Sequence, residues 1–81
     1  MIGDILIQKS KNLSPRVWRM ISENMAEYDG KRYKVHCPYG DKIYIKDHIF
    51  SGYHNYLEPL NANDPIEGRI LSSIIIDTHC V

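Results

Sequence analysis

The chain is 81 residues long, 43% of them hydrophobic and 25% charged, and its ten bases balance ten acids. That length allows one domain with a small core, and that composition excludes a wholly disordered or low-complexity chain. No apolar run approaches a membrane span, and Asp4 and Lys9 interrupt Ile5-Leu6-Ile7 far short of a secretory signal. The chain therefore reads as a cytoplasmic protein whose two cysteines stay reduced.

Neutrality hides an asymmetry. Residues 1–46 carry nine bases against five acids, and residues 47–81 carry one base against five acids. Such a dipole steers a charged partner or favours head-to-tail contacts, unless the charges simply solvate one folded surface.

Taken in order, Gly3 to Gln8 alternates as a strand, with Ile5 and Ile7 on one face and Leu6 and Gln8 on the other. Ser14 then offers a helix N-cap and Pro15 suits a first helical position. Trp18, Ile21, Met25 and Tyr28 follow at spacings of three, four and three, which predicts a helix over 15–28 stopped by Gly30. This helix is expected to bury its stripe against Tyr33, Val35, Ile43 and Ile45 of the strands that follow.

Lys31 to His36 alternates Tyr33 and Val35 against Arg32, Lys34 and His36, and predicts a strand. Pro38-Tyr39-Gly40-Asp41 is a turn cluster, after which Lys42 to Lys46 returns with Ile43 and Ile45 inward. Ser51-Gly52 turns again into Tyr53–Leu57, a short aromatic strand that Pro59 keeps from extending far. Residues 61–67 read as a polar linker. Residues 68–81, with the β-branched run through Ile74-Ile75-Ile76, read as a C-terminal strand packed on the barrel or on a second subunit, which allows a homodimer. Short strands, turns and one helix together predict a β-rich (α+β) small barrel, residues 1–60, with an appended strand.

Laid out this way, Gly3-Asp4-Ile5-Leu6-Ile7, then Trp18…Met25…Tyr28-Asp29-Gly30-Lys31, Val35, Tyr44-Ile45 and Tyr53…Tyr56 follow a pattern. Over residues 2–60 it resembles a group of small SH3-like barrel proteins encoded by bacteriophages. The chain departs from that group at Asn24, where an acid is usual, and in carrying tyrosines where its last strand has a tryptophan. The resemblance implies an SH3-like barrel and a phage origin, and no particular biochemical activity.

Three constellations bear on chemistry. His36-Cys37 and His79-Cys80 raise a zinc reading, but adjacent strand residues point to opposite faces and structural zinc ligands are spaced two to four apart, so no metal site is expected. Neither cysteine has a histidine that the sequence places beside it as a base, and no Ser/His/Asp grouping, phosphate loop or carboxylate pair is visible. The chain reads as a non-enzyme without a cofactor. The outward hairpin face is different: Arg32, Lys34, His36, Lys42, Tyr44 and Lys46 share one surface, with Arg16 and Arg19 as an extension. Bases around an exposed tyrosine suit phosphates and a stacked base, although an ordinary solvated sheet face has the same pattern.

Two functions of different kinds follow. One is a phage accessory protein that binds a host protein and inhibits or redirects it. The alternative is binding of RNA or single-stranded DNA through the hairpin face.

Overall fold

The computed structural model describes residues 3–38, 40 and 42–79, the last five as backbone only. Its elements are β1 (Ile5–Gln8), β2 (Arg16–Ser22), β3 (Met25–Tyr28), β4 (Lys31–His36), β5 (Ile43–Ile45), β6 (Tyr56–Pro59) and α1 (Pro65–His79). Every strand pairs antiparallel with the next, and β6 returns to β1, so the meander closes into a small barrel. Closure removes the unpaired edges that a short open sheet would expose.

The expected helix over 15–28 is instead the β2–β3 hairpin. Its four stripe residues were misleading because a period of two fits the same stretch. Trp18 and Met20 point into the core, and Arg19 between them is exposed. A bulge at Ile21 then shifts the register, from Met20↔Ala26 to Ser22↔Met25, and breaks the alternation that would have announced a strand. Asp29-Gly30 is a hairpin turn rather than a helix stop. Both residues have positive φ, 52° and 77°, as a two-residue type I′ turn between strands requires. Long-range pairing decides the matter: β2 supplies ladder partners to β1, and β3 supplies them to β4. A helix there would leave both of those strands with unpaired backbone groups.

The C-terminal strand expected over 68–81 is also corrected, since α1 runs from Pro65, inside the expected linker, to His79. Asp64 is the N-cap, its Oδ2 accepting the Glu67 N–H at 3.0 Å while its carbonyl accepts the Gly68 N–H at 2.7 Å. Pro65 occupies the first helical position and Glu67 the third. Once started, the helix gathers Glu67, Ile70, Leu71 and Ile74 on one buried or half-buried face, leaving Ile66, Arg69, Ser72 and Ser73 exposed. Gly68 is needed where it stands: a Cβ there would sit 2.7 Å from the Ala62 carbonyl oxygen. Ile75 and Ile76, like Cys80 and Val81, lie outside the residues whose side chains are described.

The core is Leu6, Trp18, Met20, Ala26, Val35, Ile45 and Leu57, with Tyr28, Tyr33, Ile43 and Phe50 packed against it. One polar side chain is enclosed with them. Gln8 is fully buried; its Oε1 accepts the Trp18 indole N–H at 3.0 Å and its Nε2 donates to the His54 carbonyl at 2.9 Å. Both polar ends are satisfied, so the burial is tolerated. Ile7 is fully buried yet outside that cluster, because it faces the other side of β1. That side meets α1: Leu71 shares a cleft with Ile5, Pro59 and Leu60, and Ile74 shares one with Ile5 and Val17.

The buried Glu67 carboxylate pins the helix start. It accepts the Asn61 N–H at 2.9 Å and lies 3.6 Å from the Lys9 ammonium, which also sits 3.4 Å from Glu58. Glu58 above all raises the pKa of Lys9 over its ordinary value; burial opposes this, and Glu67 adds to the rise. Among the described residues no helix is long and apolar enough to cross a membrane.

Candidate functional site

The outer side of β4, β5 and β6 carries a continuous row of rings. Inward residues are set by the core: Val35 and Ile45 are buried partners across β4–β5, and Ile43 faces Leu57 across β5–β6. The alternate positions must then point outward. His36 stands directly opposite Tyr44, and Tyr44 directly opposite Tyr56. The ring centres of His36 and Tyr44 are 6.2 Å apart, and those of Tyr44 and Tyr56 are 5.7 Å apart. His54, two residues before Tyr56 on the same face, stacks on it with ring centres 5.0 Å apart and planes 22° from parallel.

Lysines border this row. Lys42 lies just ahead of β5 with its ammonium 4.2 Å from the centre of the Tyr56 ring. The Lys46 N–H donates to the Lys34 carbonyl at 2.7 Å, which sets those two exposed residues side by side. Five of the six expected residues, Lys34, His36, Lys42, Tyr44 and Lys46, therefore share one patch. Arg32 is exposed on the same strand, but its register partner is Glu27 on β3, so an acid stands beside it. Arg16 does not extend the patch: it turns onto the rings of Tyr28, Phe50 and Tyr53. Arg19 is on β2, opposite Ile5 of β1 and Glu27 of β3.

Sequence reasoning missed the contribution of β6. His54 and Tyr56 are spaced by two, the strand signal for a shared face, and the register of β6 on β5 adds them to Tyr44. Only the pairing could show that, because ten or more residues separate Tyr44 from either one.

The patch offers π faces and positive charge. Cys37 lies in the turn after β4, exposed, with its thiol 3.5 Å from the carbonyl oxygens of Gly40 and Lys42. Among the described residues no three His, Cys, Asp or Glu side chains converge as a metal site. The other half of the zinc reading involves Cys80, which lies outside the described residues.

Elsewhere, Ile45, Asp47, His48, Ile49 and Asn55 line an open depression of about 500 Å³. Asn55 is tied into the barrel there, its Nδ2 donating to the Ile45 carbonyl at 2.9 Å and its own carbonyl accepting the Ile45 N–H at 3.0 Å. No family model, curated protein or solved structure matches the chain.

Proposed function

We propose that this chain is a non-enzymatic binding module, a small barrel of the SH3-like kind, whose β4–β5–β6 face takes single-stranded RNA or DNA. The observation that carries the reading is the ring row His36–Tyr44–Tyr56–His54 bordered by Lys34, Lys42 and Lys46. Unpaired bases stack on aromatic faces without regard to sequence, and ammonium groups beside them neutralise the backbone. A duplex keeps its bases stacked on each other and so gains little from such a row.

The test is fluorescence anisotropy with labelled single-stranded RNA, single-stranded DNA and a duplex, at several salt concentrations. Tyr44→Ala and Tyr56→Ala are each expected to weaken single-strand binding by about 1–3 kcal/mol through lost stacking. Replacing Lys34, Lys42 and Lys46 with Ala is expected to flatten the salt dependence by about 0.7 log unit per lost contact. Absence of single-strand binding at low salt overturns the reading, and so does equal binding of the duplex.

A second reading is capture of a host protein by a phage accessory protein. It rests on the resemblance of the chain's first 60 residues and on one structural observation: Lys42 is already engaged on Tyr56 in the free molecule. The zero net charge also supports it, since nucleic-acid domains are commonly basic. Recovery of the same protein partner from bacterial lysate, with and without nuclease, supports this reading; partners lost on nuclease treatment return the case to nucleic acid.

A further inference from the structure

The mouth of the barrel, where β1 ends and β2 begins, holds a second aromatic cluster that the outer row does not use. Arg16 opens β2, half-buried, and its guanidinium carbon lies 4.1 Å from the ring centre of Tyr53, 5.0 Å from that of Tyr28 and 5.4 Å from that of Phe50. These rings are held in place. Tyr28 and Phe50 pack on the buried Trp18, with ring centres 5.3 and 5.5 Å away, and the Tyr53 hydroxyl donates to the Ser14 carbonyl at 2.8 Å.

Rings attract a guanidinium to their faces, but its N–H donors lie in its own plane and need oxygen acceptors. Among the described residues Arg16 has neither an ion pair with a carboxylate nor a hydrogen bond to its guanidinium. A half-buried cation with its orientation fixed and its donors unspent favours an anion that can take two of them at once. We propose that the barrel mouth is an oxyanion site, in which Arg16 presents its N–H fork to a phosphate or carboxylate group of a ligand. The three rings act as positioning residues: they hold the fork still and remove part of the ordering that a free arginine side chain must undergo on binding.

The test uses the full chain, isotopically labelled, with the Arg16 Nε–Hε signal followed by NMR. Inorganic phosphate and acetate are titrated separately at constant ionic strength, with chloride as the control. The Arg16 signal is expected to move saturably while those of Arg19, Arg32 and Arg69 move little. Saturation with phosphate alone assigns a phosphate ligand, and equal saturation with acetate assigns a carboxylate. Arg16→Lys keeps the charge without the fork and is expected to weaken binding by roughly tenfold or more. No saturable movement of the Arg16 signal overturns the proposal, as does an equal movement with chloride. Phosphate and acetate binding to the folded Arg16→Lys variant with undiminished strength also overturns it. None of these arms involves Tyr44 or Tyr56, so the nucleic-acid reading is judged separately.

Discussion

Two aromatic clusters among the described residues are built from similar side chains and placed in opposite settings. At the mouth, Tyr28, Tyr33 and Phe50 all contact Trp18, which is 1% exposed and hydrogen-bonded to the enclosed Gln8. On the outside, Tyr44 and Tyr56 contact each other and two exposed histidines, with lysines around them. One residue step along a strand separates the two settings: on β4, Tyr33 packs against the core and the neighbouring Lys34 is exposed. An aromatic facing inward holds the barrel together. The same residue type facing outward lies on the surface of the sheet, and strand parity decides which of the two settings each ring takes.

Four measurements test this contrast. Trp18→Ala removes the ring that Tyr28, Tyr33 and Phe50 share and is expected to cost about 3–5 kcal/mol, a large part of the stability of a domain this small. Chemical denaturation reads it as a lower midpoint or as an unfolded chain, and an unchanged midpoint would place Trp18 outside the core. Gln8→Leu leaves the Trp18 indole N–H and the His54 carbonyl without their partner and is expected to cost about 1–3 kcal/mol. A neutral or stabilising result in the same assay would mean that the enclosed polar link contributes nothing over packing.

Tyr56→Ala, on the outside, is expected to change stability by less than about 1 kcal/mol, the scale of a cross-strand pair. If it destabilises as much as Trp18→Ala, the outer row is structural and the contrast fails.

The smallest effect lies at the seam between β1 and α1. Glu58, and after it Glu67, raise the pKa of Lys9 above 10.5, so its charged form stabilises the folded state. That contribution is fully present below pH 10.5 and is lost as pH rises through the higher folded value. Lys9→Met is expected to remove this part of the alkaline stability loss, read by denaturation at pH 9 to 12, to the order of magnitude that an exposed ion pair allows. Identical alkaline profiles for the two proteins would show that Lys9 makes no such contribution.

Much of this architecture was legible locally. Lys31–His36 alternates without interruption and ends at turn residues, so β4 and the inward direction of Tyr33 and Val35 follow from the sequence alone. The same alternation put Arg32, Lys34, His36, Lys42, Tyr44 and Lys46 on one face, of which Arg32 is drawn beside Glu27 by the β3–β4 register. Two segments misled. Trp18, Ile21, Met25 and Tyr28 fit a helical period, yet Trp18 and Tyr28 share the inward face of the hairpin, while Ile21 sits at the bulge and Met25 is off that face. The β-branched isoleucines of α1 suggest a strand, but Asp64-Pro65-Ile66-Glu67 is a helix start, and the cap outweighs a propensity difference of a few tenths of a kcal/mol per residue, in order of magnitude.

Local sequence was enough for a small β-rich domain, a turn at Ser51-Gly52 and a basic and aromatic hairpin face, whereas the turn at Asp29-Gly30 read as a helix stop and the cap at Asp64 as part of a linker. These are properties of neighbours in the chain, governed by side-chain parity, by φ preference and by local hydrogen bonds. Long-range packing is what closes β6 on β1, joins His54 and Tyr56 to Tyr44, and turns Arg16 from the basic face onto three rings drawn from β3 and from the loop ahead of β6. Each of those outcomes depends on the register between segments far apart in sequence. Register is set by which backbone groups remain to be paired once every apolar face is covered, and no single stretch of chain contains that information.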